Sequence, residues 1–274
     1  MDARGAWQMN EPSPLFDPTV PSMARIYDYC LGGKDNFAAD REAADRILQV
    51  LPNVRQIARE NREFLGRAVR FLAEAGIRQF LDIGTGLPTQ QNVHEVALGI
   101  APDARTVYVD NDPIVLVHAR ALLADNCQTV VVDGDLRAPR ELLARTEVRA
   151  HLDFDRPYAI ILCSVVHFVE DDQEAANSVS VLRESLPPGG ALVLSHGFRG
   201  ALNDDAIDIG RAIYARAHGG LNMRDQAAIS EYFRGLEMVE PGLVPVELWR
   251  PSHDLDLIHN ASAPGVLGAV AFAP

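Results

Sequence analysis

Short apolar runs alternate with helical stretches through the middle of this 274-residue chain. The runs are rich in Val, Ile and Leu, and they lie at 79–83, 106–109, 129–132, 158–164 and 191–196. Most are separated by stretches in which apolar residues recur every three or four positions, at 91–98, 115–124, 138–146 and 174–186. This alternation predicts an α/β fold with a mostly parallel sheet and crossover helices.

The two ends of the chain add to this pattern. Residues 1–22 carry four prolines and little periodicity, so we expect a flexible tail or a strap laid across the body. Helices are predicted over 38–51 and 54–72, and over two parts of 204–235 that are separated at 218–220. Two further strands, 238–246 and 266–272, are expected to complete the sheet, the last of them antiparallel.

These elements predict a single domain over residues 23–274. Within it we expect an N-terminal helical lid (23–76), a ligand-binding core (77–198), a helical cap (199–235) and the closing strands (236–274). The three cysteines show no metal-ligand spacing, and their odd number argues against a disulfide framework, which favours a reducing cytoplasm. No window approaches the ~18 to 20 apolar residues of a membrane helix, and the N-terminus has no signal-peptide core.

The segment 80–89, FLDIGTGLPT, runs from an apolar strand into a glycine turn that opens a helix. Glycines at 84 and 86 allow a tight turn and a close approach to a ligand beyond the strand end. A dinucleotide fingerprint would have a third glycine where Thr89 stands. It would also rarely place a carboxylate such as Asp82 beside a pyrophosphate. The turn therefore favours a cationic ligand.

Two more carboxylates follow the next strands. Asp110 ends the second strand, where a carboxylate can accept both ribose hydroxyls. Asp135 follows the third, where it can accept from the exocyclic amine of adenine, although Asp133 competes for that role. A ribose, an adenine and a cationic head without a phosphate cradle describe S-adenosylmethionine better than NAD or ATP.

These residues carry a family resemblance. The series Asp82-x-Gly84-x-Gly86 with Asp110 and Asp135 resembles the cofactor motifs of class I S-adenosylmethionine-dependent methyltransferases. The segments YDYCLGGKDNF (27–37), RENREFL (59–65) and VDNDP (109–113) are similar to a bacterial, actinobacterial-type S-adenosyl methyltransferase family of unassigned substrate, over about residues 21–273. The resemblance implies a Rossmann-like class I fold, with a seven-stranded, mostly parallel sheet whose last strand is antiparallel. It also implies S-adenosylmethionine bound across the C-terminal sheet edge, with S-adenosylhomocysteine as product.

The expected cofactor contacts lie at the ends of the first four strands. The set is Asp82, Gly84, Thr85, Gly86, Asp110, Asn111, Gly134, Asp135, Leu136, Cys163 and Ser164. In the N-terminal run, Arg25, Tyr29 and Lys34 are candidates for a lid in which Arg25 or Lys34 meets the methionine carboxylate, but the run could simply be a helix with a glycine cap. Arg62 could bind the same carboxylate, although a solvated helix face is commoner for such an arginine.

His167, after the fourth strand, is a candidate general base, with a histidine packed under the sheet edge as the alternative. His196, at the end of the fifth strand, is the next candidate. Cys163 is a weaker nucleophile candidate, because buried strand cysteines are usually inert. Aromatic residues that could line an acceptor cavity, unless they belong to the core, are Phe198, Tyr214, Tyr232 and Phe233.

The formal charge of −13 disfavours a nucleic-acid partner, since an acidic surface repels phosphate backbones. The sequence also lacks the Asp/Asn-Pro-Pro-Tyr/Phe and Pro-Cys motifs of DNA-base methylation. We therefore expect a small-molecule acceptor, with a protein acceptor as the less favoured alternative, and with neither a nucleic acid nor a membrane as partner and without a metal. Two alternatives stay open, a non-catalytic S-adenosylmethionine sensor and an NAD(P)-dependent oxidoreductase.

Overall fold

The computed structural model describes residues 17–88, 91–122, 126–200, 202–217, 219–251 and 265–274. Its α-helices are α1 Met23–Leu31, α2 Ala38–Val50, α3 Val54–Glu74, α4 Val93–Leu98, α5 Pro113–Leu122, α6 Pro139–Ala144, α7 Thr146–His151, α8 Asp172–Glu184, α9 Asp204–Ala215 and α10 Gln226–Glu231. Its strands are β1 Gln79–Ile83, β2 Arg105–Asp110, β3 Thr129–Asp133, β4 Ala159–Cys163, β5 Ala191–Phe198, β6 Glu237–Met238, β7 Val244–Pro245 and β8 Gly265–Phe272.

The strands form one sheet in the order β3-β2-β1-β4-β5-β8-β6, with β7 also paired to β8. Strands β1 to β5 run parallel, and β8 lies antiparallel to β5. This arrangement confirms the predicted Rossmann-like α/β fold with a reversed last strand. Because parallel strands end at one edge, the segments that follow β1, β2 and β4 come together there.

The sixth of the seven predicted strands is divided. The prediction placed one strand over 238–246, whereas the structure has two short pieces, β6 and β7, that both pair with β8. The chain between them contains Pro241, which has no N–H to donate, and Gly242, whose φ is +84°. Among the described residues the sheet therefore has eight strands.

Local sequence explains several helix boundaries. Asp171 and Asn203 cap α8 and α9 by accepting backbone N–H groups of Glu174 and Ala206. Gly32 ends α1 in the left-handed conformation, as the glycine-cap reading of that run predicts. The helix predicted over 138–146 is two helices, α6 and α7, because the chain leaves helical geometry between them. His218 and Thr89 lie outside the described residues.

The core has three parts. One apolar layer joins one sheet face to α6, α7 and α8, and a second joins the other face to α3 and α4. A third packs α1 and α2 against α9 through Ile26, Ala44, Ile47 and Ile213. Helix α3, which the prediction placed in the lid, thus packs on the sheet. The layer formed by α1, α2 and α9 is separate from both sheet faces. Its residues line part of the site described in the next subsection.

None of the described helices combines the length and apolar character that crossing a membrane requires. Cys30, Cys127 and Cys163 form no disulfide.

Candidate active site

The glycine turn after β1 exposes backbone at the sheet edge. Gly84 and Gly86 have φ values of +74° and +69°, a conformation that side chains disfavour. A Cβ on Gly84 would lie 2.3 Å from Cγ2 of Val165, whereas one on Gly86 would meet open space. The Gly84 N–H donates to the carbonyl oxygen of Val109 at 2.8 Å, which ties the turn to β2. The turn is held rigidly, with room for a ligand beside Gly86.

A cavity of about 980 Å³ opens beside this turn. It lies at the carboxyl ends of β1, β2 and β4, and its volume is at the upper end of the range for ligand sites. Predicted cofactor residues in its wall are Arg25, Arg62, Asp82, Gly84, Thr85, Gly86, Asp110, Asn111, Cys163 and Ser164. We call this space the large cavity. Ten of the fifteen predicted contacts therefore share one wall.

Asp110 is a fixed carboxylate at the edge of β2. Its Oδ2 accepts the Gly86 N–H and its Oδ1 accepts the Asp112 N–H, both at 2.9 Å. Burial raises the pKa of Asp110 to about 6, although these two N–H groups favour the charged form. Each oxygen keeps a lone pair, so the group can accept hydrogen bonds from a ligand's hydroxyls.

Asp82 and Arg62 give the large cavity charges of both signs. Burial raises the pKa of Asp82 to about 7, while the nearby Arg62 opposes the shift. Nη2 of Arg62 donates to Oδ1 of Asn92 at 3.0 Å, but its buried Nε has no hydrogen-bond partner in the described part of the chain. A buried donor without a partner is costly. This pair is therefore suited to a zwitterionic group, with a carboxylate for Arg62 and a cation for Asp82.

The predicted adenine contacts lie behind the cavity wall rather than in it. Leu136 is buried in the core, and Gly134 packs against Val109 and Leu142. The Asp135 carboxylate accepts from Nε of Arg137 at 3.0 Å and from Nδ2 of Asn111 at 3.2 Å. Asn111 and Arg137 themselves line the cavity. Sequence reasoning missed Arg137, whose position two residues after Asp135 was the available signal.

The described part of the predicted tail, residues 17–22, forms a wall of the large cavity together with the start of α1. Ser22 Oγ donates to Oδ2 of Asp112 at the end of β2. Buried Arg25 donates from Nε to Oδ2 of Asp40 at 2.8 Å, and its Nη1 lies 3.8 Å from Oδ2 of Asp112. Arg25 therefore ties this segment to α2 and to the chain after β2, and these contacts engage the guanidinium that was predicted to meet the methionine carboxylate.

Two predicted lid residues do not reach the cavity wall. Tyr29 stacks under the Arg55 guanidinium at 5.0 Å and donates to Asp45 at 3.3 Å, and Lys34 is exposed. Tyr27, two residues before Tyr29, lines the cavity in its place, because positions two apart point to different sides of a helix. Its hydroxyl donates to the Ala58 carbonyl at 2.9 Å and accepts from Asn61 Nδ2 at 3.0 Å.

A second cavity of about 130 Å³, the small cavity, adjoins the large one. Four residues line both: Tyr27, Asn61, Ser164 and Phe168. The rest of its wall is mainly aliphatic and aromatic and comes largely from α1, α2, α3 and α9. Of the four predicted aromatic residues, Tyr214 lines it. Tyr232 and Phe233 belong to the core, and Phe198 packs against that core.

His167 lies in the wall of the small cavity, but its hydrogen bonds oppose the predicted role as a base. Its Nδ1 accepts the Gly197 N–H at 3.1 Å, so Nε2 carries the proton of the neutral ring. Burial, aided by the nearby Arg224, lowers the pKa of His167 to about 3. The ring is therefore a hydrogen-bond donor at neutral pH.

His196 is not in the wall of either cavity. It is fully buried, with Nδ1 donating to the Gly197 carbonyl at 2.8 Å and Nε2 accepting from Arg224 at 3.1 Å. Both nitrogens are engaged, and burial lowers its pKa well below the ordinary value. This geometry does not support the predicted role of His196 as a base, and the side chain instead supports Arg224 beneath the site.

Cys163 and Ser164 end β4 where the two cavities meet. Cys163 Sγ lies 3.3 Å from Ser195 Oγ, and burial raises the pKa of the thiol to about 11. The protonated thiol is a poor nucleophile, as expected from the sequence. Ser195 also donates to Asn61 Oδ1 at 2.7 Å, which holds the amide between the cavities. The described residues contain no group of three or more His, Cys, Asp or Glu able to hold a metal ion.

Comparison with known proteins places this chain in a family. A profile described as S-adenosyl methyltransferase matches residues 9–274. A solved Thermobifida fusca protein assigned as a methyltransferase is 41% identical, with 96% of this chain and 98% of that chain covered and a TM-score of 0.88. A DUF574 family protein from Streptomyces avermitilis is 43% identical, with 94% and 99% covered and a TM-score of 0.86. No curated protein matches the chain significantly. By sequence and structure, the chain belongs to the S-adenosyl methyltransferase family.

Proposed function

We propose that this chain transfers the methyl group of S-adenosylmethionine to a small-molecule acceptor held in the small cavity. The observation that carries the proposal is the meeting of two unlike cavities at the end of β4. One is large and charged, the other small and apolar, and four residues line both. The family supports methyl transfer and gives no support to the oxidoreductase or sensor alternatives.

The large cavity fits the cofactor through its charges. The Arg62 guanidinium, which lines the large cavity, would bind the methionine carboxylate, and Asp82 would lie near the ammonium group. Asp110 would accept the ribose hydroxyls, with its orientation fixed by Gly86 and Asp112. When bound, S-adenosylmethionine supplies a methyl group activated by its sulfonium.

At the adenine end, we propose that Asp135 acts through its neighbours. Its carboxylate holds Asn111 and Arg137, and these two side chains line the cavity. Gly134 and Leu136 would support this end by packing, Gly134 against β2 and Leu136 in the core behind it. The end of β3 would thus bind adenine as predicted, but the direct contacts would come from Asn111 and Arg137 rather than from Asp135.

The residues where the cavities meet would align the two reactants. Tyr27, Asn61 and Ser195 form a connected set of hydrogen bonds that fixes the shape of this junction. Holding two reactants at near-attack distance supplies a large part of the barrier reduction in such a displacement. His167 would contribute as a donor that orients the acceptor.

The test is incubation of the protein with methyl-labelled S-adenosylmethionine and a small-molecule extract of the source organism, followed by identification of the labelled product. We expect a labelled small molecule that an Asp110→Ala variant does not produce. Tight cofactor binding without transfer of label to any component would contradict the proposed enzyme.

A further inference from the structure

The small cavity has an uncharged wall, and it adjoins the charged large cavity. We propose that the methyl acceptor is an uncharged molecule whose buried part is no larger than one aromatic ring, oriented by a hydrogen bond from His167. This inference rests on the proposed function and specifies the substrate class of the same site.

In the part of the chain that the structure describes, the wall of the small cavity carries no charged side chain that could neutralise an ionic acceptor. Among the described residues that line the small cavity, none is Asp, Glu, Lys or Arg. Its titratable side chains are neutral near pH 7: burial raises the pKa of Tyr27, Tyr214 and Cys30, and lowers that of His167. The guanidinium of Arg224, which lies behind His167, is engaged by Asp172, His196 and the Val169 carbonyl. A charged acceptor would lose its hydration without gaining a counter-ion.

The volume of the small cavity limits the size of the group that can be buried in it. At about 130 Å³ the small cavity is close to the engineered apolar cavity of roughly 150 Å³ that binds benzene. Ile26, Ile47 and Ile207 close it on the side of α1, α2 and α9, where those helices pack together. A single ring or a branched aliphatic group of similar size fills such a space.

His167, which is 8% exposed, can orient the acceptor in the small cavity. Its Nδ1 is taken by the Gly197 N–H, and no residue in the described part of the chain accepts the proton on Nε2. By contrast, the Tyr27 hydroxyl and the Asn61 amide are already bonded to protein groups. Because His167 lines the small cavity, its Nε2–H can donate to a ligand that carries a neutral oxygen or nitrogen acceptor.

Three single-ring probes of nearly equal size test the charge argument: benzyl alcohol, benzylamine and benzoate. Binding of each is titrated by ligand-observed NMR in the presence of saturating S-adenosylhomocysteine, which fills the large cavity without reacting. We expect benzyl alcohol to bind about tenfold or more tightly than either ion. Equal or tighter binding of an ion, or no binding of benzyl alcohol, would overturn the proposal.

A matched pair of variants on α9 locates the probe. Ile207 is 6% exposed and lines the small cavity, whereas Ile209 is 44% exposed on the same helix. We expect Ile207→Trp to abolish benzyl alcohol binding and Ile209→Trp to leave it unchanged. Unchanged binding in Ile207→Trp would place the probe elsewhere and overturn the assignment.

Removal of the donor tests the orientation. In His167→Phe we expect benzyl alcohol to lose several-fold in affinity while toluene, which cannot accept a hydrogen bond, does not. An equal loss for both would reduce His167 to a packing role. S-adenosylhomocysteine affinity is measured in every sample. If that ligand fails to bind the unmodified protein, the proposed function itself fails, whereas tight binding with a preference for charged probes overturns this inference alone.

Discussion

The two cavities that meet at the end of β4 are built from opposite kinds of residue. The large cavity is formed by the ends of neighbouring parallel strands, where Asp82 and Asp110 are held by backbone and turn geometry. The small cavity is formed by helices α1, α2, α3 and α9, which contribute mainly aliphatic and aromatic side chains. The proposed donor and acceptor sites therefore rest mainly on different elements, and a side chain that lines only one cavity can be altered without changing the wall of the other.

The largest expected effect is on the affinity of the charged large cavity for S-adenosylmethionine. Asp110→Ala would remove the ribose acceptors and leave the N–H groups of Gly86 and Asp112 without partners. We expect the affinity for S-adenosylmethionine in calorimetry to fall by about 100-fold or more. The matched control is Asp133→Ala, because Asp133 is the register partner of Asp110 on β3, is exposed and lies outside the cavity wall. Unchanged affinity in Asp110→Ala would contradict the ribose assignment.

A second prediction separates the two ends of the cofactor. Arg62→Met should weaken S-adenosylhomocysteine binding by about tenfold or more, since the ligand's carboxylate loses a charge-assisted donor. Methylthioadenosine, which lacks that carboxylate, should bind the variant and the unmodified protein equally. Exposed Arg59 on the same helix provides the control Arg59→Met. If both ligands lost the same affinity, Arg62 would not be the residue that binds the carboxylate.

The third prediction concerns how the affinity for S-adenosylmethionine changes with pH. Asp82, with a pKa of about 7, and Asp110, with a pKa of about 6, are partly protonated in weakly acidic solution. A cationic ligand favours the ionised carboxylates, so binding near pH 7 should release a fraction of a proton. Affinity should rise roughly tenfold from about pH 5.5 to 7. Calorimetry in buffers of different ionisation enthalpy measures the released proton, and proton uptake would have the wrong sign for this assignment.

The smallest expected effect concerns the segment 17–25, which forms part of the wall of the large cavity. Ser22→Ala removes the hydrogen bond to Asp112 and should speed dissociation of S-adenosylhomocysteine by a few-fold. In an Asp112→Asn background, the same change should have a smaller effect, since the two residues share one interaction. Full additivity of the two changes, measured by stopped-flow, would show that this contact does not hold the segment closed.

Much of the large cavity could be predicted from sequence because its residues follow apolar strands directly. Asp82, Gly84, Gly86 and Asp110 each lie within a few residues of a strand end, and parallel strands bring such positions to one edge. Asp135 shows the limit of that reasoning. Its position after β3 was foreseen, but Arg137 binds its carboxylate and takes its place in the wall.

The small cavity could not be predicted in the same way. Its wall joins residues as distant as Ile26 and Leu221, which no local motif connects. The roles of the histidines also depend on tertiary partners. His167 is a donor because Gly197 occupies its other nitrogen, and His196 is structural because Arg224 binds it. Neither partner could be identified from the residues around the histidine.

Transfer of the methyl group where the two cavities meet can be tested by a crystal structure of the complex with S-adenosylhomocysteine. We expect the ligand's carboxylate at Arg62, its ribose at Asp110, and its sulfur beside Tyr27, Asn61 and Ser164 at the opening of the small cavity. A ligand whose sulfur points away from that opening would contradict it.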